Sequence, residues 1–272
     1  MSRITKAFDS GKAFIAFLMA GDPSLKKTAE FILALAKAGA DLIEIGIPFS
    51  DPIAEGEVIQ RADIRGLKAG TTINGIFDMI AAVRAKTEIP FVFLTYLNPV
   101  FVYGYERFFK KCKAFGVDGI IIPDLPFEEK DEVSAITGKY NIDHITLITP
   151  ASNDRICKLA MNSTGFIYLV SSMGVTGVRN AIETDLKKII MQIRNATDTK
   201  IAVGFGISTP EQAGRILTEA DGVIVGSAIV KIIEEYGGDA AEKLFEYVRG
   251  IKKSDSRFFE NLYANYMFVI KL

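Results

Sequence analysis

Short aliphatic runs alternate with stretches of helical period eight times along this chain. The runs are Phe14–Met19, Leu42–Gly46, Phe91–Leu97, Gly119–Asp124, Ile145–Thr149, Phe166–Ser171, Ile201–Phe205 and Gly222–Val225. Unbroken apolar runs of strand length fit parallel strands covered on both faces. Between them, apolar residues recur every three or four positions, as at Phe31, Ile32 and Leu35 in a helix ending at Ala38. The same period predicts helices over Val58–Ala69, Ile73–Ala85, Glu106–Phe115, Glu128–Thr137, Asp154–Met161, Ile182–Asn195, Pro210–Ala220 and Asp239–Gly250. Asp and Ser stand where these helices should be capped, and Gly39 and Gly116 stand where two of them should stop.

Alternating strand and helix imply parallel strands joined by right-handed crossovers. Eight such units suggest an α/β fold closed into a (β/α)8 TIM barrel, with an open doubly wound sheet as the alternative. The segment Met1–Phe8 reads as an extra N-terminal amphipathic helix rather than a signal peptide. No linker rich in Gly, Pro or Ser divides the chain, so residues 1–253 are expected to form one domain. The tail 254–272 is unusually apolar; the pattern leaves open whether it packs on the barrel exterior or is an added extension.

One position breaks the pattern. Glu44 lies inside the aliphatic run Leu42-Ile43-Glu44-Ile45-Gly46, and a carboxylate so placed must be paired, neutralised or used. The stretch after it carries Pro48, Ser50, Asp51, Pro52, Glu55 and Glu57, a stiff acidic loop of the kind found at a barrel mouth. Glycine-bearing loops follow strands six, seven and eight, with Gly174 and Gly177, Gly204 and Gly206, and Gly226 followed by Ser227. Backbone amides of such loops bind phosphate in barrels, and glycine permits close approach of the anion.

Composition narrows the chemistry. The 272 residues are 49% hydrophobic and 24% charged, with a formal net charge of -1 and no basic run, which disfavours a nucleic-acid partner. The longest apolar stretches are strand-length, short of the roughly 20 residues that span a bilayer. Cys112 and Cys157 fall on predicted helices without metal-ligand spacing and are expected as reduced thiols in a cytoplasmic protein. The only histidine, His144, and Lys200 both fall at strand starts, the wrong end of a barrel for catalysis. A histidine-built metal site, a Schiff-base lysine and a serine–histidine pair are thereby disfavoured. What remains for the mouth is Glu44, Asp51, Glu55, Asp124, Tyr96, Tyr168, Asn98 and Thr176, a set suited to acid–base chemistry on a small phosphorylated molecule.

The run IEIGIPFSDPIAEGEVIQ, with AGDP before it and YLVSSMGVTG, VGFGIS and VGSAIV after it, resembles the tryptophan synthase alpha chain family. LTYLNPVFVYG and PDLPFEE match that family's third and fourth strand exits, and the likeness covers roughly residues 1–253. The resemblance implies a lyase that cleaves indole-3-glycerol phosphate to indole and glyceraldehyde 3-phosphate by a retro-aldol reaction. It implies no cofactor in this chain, and a pyridoxal-phosphate-bearing beta chain as partner in an α2β2 tetramer. Glu44 matches the family's catalytic Glu and Glu55 its second carboxylate, which is more often Asp. Phe17, Tyr96 and Phe205 match side chains around the indole ring, Tyr168 one near the glycerol phosphate, and Thr176 a loop threonine that contacts the second carboxylate. The phosphate groups map onto Gly177, Gly206, Gly226 and Ser227. Two other readings share the resemblance: a stand-alone lyase that releases indole, and a catalytically weakened subunit that mainly activates a beta chain. A phosphosugar isomerase on the same barrel is a more distant reading.

Overall fold

The computed structural model describes residues 2–252 apart from 10, 172–178 and 205, with the side chains of 179–185 also outside the description. The tail 254–272 therefore lies outside the described residues. Nine parallel strands form one nearly closed sheet. They are β1 (Ala13–Met19), β2 (Leu42–Gly46), β3 (Phe91–Leu94), β4 (Gly119–Ile121), β5 (Asp143–His144), β6 (Thr146–Ile148), β7 (Phe166–Val170), β8 (Lys200–Gly204) and β9 (Gly222–Val225). Their order is β5-β4-β3-β2-β1-β9-β8-β7-β6, so the two ends of the sheet meet where the chain passes from β5 to β6. This is the (β/α)8 barrel expected, with its fifth strand divided. β5 pairs with β4, β6 pairs with β7, and the Ile145 amide between them donates to Ile120 O at 2.9 Å. The predicted strand Ile145–Thr149 thus starts earlier and ends sooner, because Asp143, His144 and Thr146 interrupt the aliphatic signal and Thr149 opens a 3-10 turn.

The helices are α1 (Arg3–Lys6), α2 (Leu25–Ala38), α3 (Glu57–Lys68), α4 (Ile73–Arg84), α5 (Leu97–Tyr103), α6 (Tyr105–Phe115), α7 (Asp131–Tyr140), α8 (Ile156–Met161), α9 (Arg179–Ala196), α10 (Pro210–Leu217) and α11 (Ser227–Tyr236). Residues 241–252 are helical as well. Two helices escaped the periodicity. α5 (LNPVFVY) reads as more strand because it is rich in β-branched and aromatic residues, and α11 opens on the aliphatic run AIVKII. Observed side-chain caps are Ser and Thr rather than Asp: Ser24 accepts from Lys27 N, Thr72 from Gly75 N, and Thr209 from Gln212 N. Gly39 and Gly116 end α2 and α6 at φ 105° and 75°, which a side chain would resist.

One apolar layer lies between the strands and the helices, around Phe31, Phe77, Phe93 and Phe108. A second fills the barrel interior with Ile15, Leu42, Val92, Phe166 and Ile224, and Ile4 and Phe8 of the N-terminal segment close its lower end. That lower end repeats one device. Asp41, Asp118 and Asp221 each directly precede a strand and accept the first amides of a neighbouring one, from Phe14, Phe91 and Ile201 at 2.7, 2.9 and 2.9 Å. Each is also paired with a cation: Asp41 with Lys252, Asp118 with Arg3, and Asp221 with Arg194. No described helix is long and apolar enough to cross a membrane.

Candidate active site

At the opposite end of the barrel, where Asp22 is paired with Arg65, two other buried carboxyls, Glu44 and Asp63, have no cation partner among the described residues. Glu44 is central on β2, in register with Phe17 of β1 and Val92 of β3, and is only 2% exposed. Its Oε2 has no hydrogen-bond partner among the described residues. Burial, with the nearby Glu55 charge adding to it, pushes its pKa from about 4.5 up to about 8. At neutral pH the group is therefore mainly a neutral acid, the state that makes burial tolerable. Gly46, two residues on, lets the side chains of Phe17 and Met19 close in. A Cβ there would come within 2.9 Å of the tips of both Phe17 and Met19.

Glu55 ends the acidic loop just before α3. The Tyr96 hydroxyl donates to Glu55 Oε2 and accepts from the amides of Ile53 and Ala54, both at 2.8 Å. Gln60 Nε2 holds the Glu55 carbonyl at 2.8 Å. Burial, then the Glu55 contact, raises the Tyr96 phenol above its ordinary pKa, so it stays protonated as a donor. Phe49 packs on Tyr96 with ring centroids 5.2 Å apart. Tyr96, expected beside a ligand ring, has its hydroxyl tied into the acidic loop.

A cavity that also reaches Arg3, Asp118 and His144 towards the lower end brings together Phe17, Glu44, Glu55, Leu94, Tyr168, Gly206, Gly226 and Ser227 at the mouth. Tyr168 is buried against Gly204, where a Cβ would collide with its phenol. Burial, and secondarily the Glu44 charge, holds its phenol well above the usual pKa. Gly226 lies against Phe17, with 3.2 Å from a built Cβ to Phe17 Cδ1, and Ser227 is the first residue of α11. Gly206 adopts φ 74°, a conformation that favours glycine. Thr176, Gly177 and Phe205 lie outside the described residues.

Other mouth candidates fall away from the cavity. Asn98 is exposed on α5, and Asp51 and Glu57 are exposed on the rim. Asp124 lies beyond the end of β4 and accepts the Leu97 amide at 2.9 Å, so it braces the start of α5. Cys112 is buried on α6 and Cys157 exposed on α8, both free thiols. His144 and Lys200 sit at the starts of β5 and β8. Among the described residues no His, Cys, Asp and Glu cluster is placed to hold a metal ion.

Two features escaped the sequence reading. Asp63 on α3 is buried and accepts the Phe49 amide at 3.0 Å. Arg65 grips buried Asp22 through two bonds of 2.8 Å and reaches Glu234 of α11 at 2.9 Å, which Arg61 also binds. Asp63 was legible in principle. The buried face of α3 is Ile59, Ala62, Asp63 and Gly66, so it breaks a helical stripe as Glu44 breaks a strand.

The fold and this site define a (β/α)8-barrel protein with a candidate acid–base pocket at the C-terminal mouth of the strands. The family model of the tryptophan synthase alpha chain matches residues 5–256. The tryptophan synthase alpha chain of Lacticaseibacillus casei is 47% identical over 252 residues, 93% of this chain and 95% of that one. The corresponding chain of Lactiplantibacillus plantarum is 47% identical over 255 residues, 93% and 96%. Among solved structures, tryptophan synthase subunit alpha of Legionella pneumophila superposes with a TM-score of 0.86 at 34% identity, covering 94% of this chain and 99% of that one. A chain of the tryptophan synthase α2β2 complex of Pyrococcus furiosus gives 0.83 at 39%, covering 89% and 99%. The chain belongs to the tryptophan synthase alpha chain family, and is a lyase.

Proposed function

We propose that the barrel, residues 1–253, cleaves indole-3-glycerol phosphate into indole and glyceraldehyde 3-phosphate, with Glu44 as the acid–base group. The observation that carries this reading is Glu44 itself, a buried carboxyl without a partner, held protonated by its surroundings and facing the cavity. Protonation of indole C3 by Glu44 gives an indolenine whose ring nitrogen becomes an iminium. Glu55, pinned by Tyr96, holds the N–H as that charge develops. The Glu44 carboxylate then takes the proton from the glycerol hydroxyl. The C–C bond breaks, its electrons pass to the iminium, and indole and the aldehyde result. A carboxyl whose pKa lies near neutrality suits both proton transfers.

Phosphate is bound at the glycine exits, with the amides at Gly206 and Gly226 and the Ser227 hydroxyl at the N-terminus of α11. The resemblance assigns Gly177 to the same set, Thr176 to the second carboxylate, Glu55, and Phe205 to the indole ring. Phe17 with Leu94 supplies the apolar wall for the indole ring, and Tyr168 borders the glycerol. This chain needs no cofactor for that sequence of steps.

A beta chain, carrying pyridoxal phosphate, is the partner we infer, in an α2β2 assembly in the cytoplasm. Ile53, Phe101 and Val102 support it: they are 79%, 65% and 76% exposed on the neighbouring exits of β2 and β3, on the rim of the cavity. The test is indole released from indole-3-glycerol phosphate, measured with and without a beta chain. Release that rises with the beta chain supports the reading, and no release in either condition refutes it.

A further inference from the structure

We propose that Asp63, which lies outside the cavity, is a positioning residue that sets the acidic loop and so the placement of Glu55; this deepens the proposed function and rests on it. The loop from Ile47 to Gly56 leaves β2 through the bond from Ile47 N to Leu94 O at 2.9 Å. After that its ties to the rest of the barrel are few. The Phe49 amide donates to Asp63 Oδ1 at 3.0 Å, the Ile53 and Ala54 amides donate to Tyr96, and Gln60 holds the Glu55 carbonyl. Asp63 and Gln60 belong to the same helix, α3, so that helix grips the loop near both of its ends.

α3 is itself a fixed platform. A Cβ at Gly66 would meet Ala20 O at 2.8 Å and Pro48 at 3.3 Å, so the helix lies directly against the exit of β1 and the start of the loop. Arg65 ties it to Asp22 and Glu234. On such a platform, one hydrogen bond at Phe49 fixes where Phe49 packs on Tyr96. Tyr96 in turn holds Glu55.

Asp63 is 3% exposed on an otherwise apolar helix face, and its Oδ2 has no hydrogen-bond partner. Burying a carboxyl with one oxygen unmatched costs stability. The loop amide is the one hydrogen bond it makes in return. Burial, partly opposed by the Phe49 amide and reinforced by the Glu55 charge, raises its pKa to about 7, so the group need not be ionised to accept that amide.

The decisive experiment is a double-mutant cycle read as indole release from indole-3-glycerol phosphate in the presence of a beta chain. Asp63→Ala should lower kcat about 10-fold or more, since misplacing a reacting group by about 1 Å costs on that scale. Asp63→Asn, which keeps the acceptor and the shape, should restore most of it. In a Glu55→Gln background, Asp63→Ala should add little further loss, because both act through one carboxylate. Binding of glycerol 3-phosphate, which reports only the phosphate end, should stay within about two-fold of the parent, well below the effect of a lost transition-state contact. If Asp63→Ala does not yield folded protein, Asp63→Ser, with a shortened acceptor, replaces it and should show the same dependence on Glu55. Unchanged kcat per folded molecule, or losses that multiply fully with Glu55→Gln, would overturn the proposal. Absence of turnover in the parent itself would instead overturn the function on which it rests.

Discussion

The lower end of this barrel compensates three strand-start aspartates, whereas the mouth, apart from Asp22 held by Arg65, leaves two buried carboxyls uncompensated. At the lower end Asp41, Asp118 and Asp221 each accept a strand amide and meet a cation, so each negative charge is hydrogen-bonded and compensated. At the mouth Glu44 and Asp63 each leave one buried oxygen unmatched, and both have pKa values moved up to about 8 and about 7. The same side-chain chemistry thus stabilises the fold at Asp41, Asp118 and Asp221 and weakens it at Glu44 and Asp63. Uncompensated burial is tolerated where it tunes a proton affinity. The difference separates carboxylates that hold strands together from buried carboxyls left to face the cavity, at Glu44, or to hold a loop, at Asp63.

The contrast is broken most sharply by Glu44→Gln. It keeps shape and removes the proton, and should lower turnover of indole-3-glycerol phosphate by about 10²-fold or more, the scale of general acid–base catalysis. Substrate binding should persist. The same variant should gain stability at alkaline pH. An acid whose folded pKa lies above its unfolded value binds protons more tightly when folded, so the parent loses stability as pH rises from about 4.5 to about 8. Glutamine has no such slope. Denaturation at pH 5 and pH 9 should therefore show Glu44→Gln overtaking the parent only at the higher pH.

Asp118→Ala should do the reverse. It removes the acceptor for Phe91 N and the partner of Arg3, and a cost of about 2–4 kcal/mol in chemical denaturation is expected for a buried, charge-assisted acceptor. Activity per folded molecule should be unchanged. A smaller effect is expected from Tyr96→Phe, which frees Glu55 and two loop amides: kcat should fall about 10-fold, within the range for a misplaced catalytic group. The smallest is Ser227→Ala at the phosphate end, where one neutral hydrogen bond predicts a KM increase of about 3- to 10-fold with kcat retained.

Much of this architecture was legible in the chain. Eight aliphatic runs announced the barrel, and Glu44 marked the candidate site because a single carboxylate inside LIEIG has no structural reason to be there. Local periodicity failed where tertiary context decides. The divided fifth strand depends on β5 and β6 pairing with different neighbours across the seam, and α5 and α11 hide in residues that also suit strands. The role of Tyr96 was beyond reach, since it depends on a loop folding back over 40 residues of chain to meet the hydroxyl. Asp63 was missed although its helical stripe carries the same kind of signal as Glu44. A polar residue on a short helix face is common enough that the signal stands out only once burial is known. The paired aspartates gave no warning of their opposite role, because a strand-start Asp reads as an ordinary turn residue.

The most direct test of the central claim, that Glu44 is a neutral acid made so by uncompensated burial, is its own titration. Glutamate side-chain carboxyl carbons can be labelled with ¹³C and followed by NMR across pH, with the Glu44 signal assigned by its loss in Glu44→Gln. The account predicts a midpoint near 8, far above the other glutamates. A midpoint at the ordinary value near 4.5 would mean that Glu44 is ionised at neutral pH, and would contradict it.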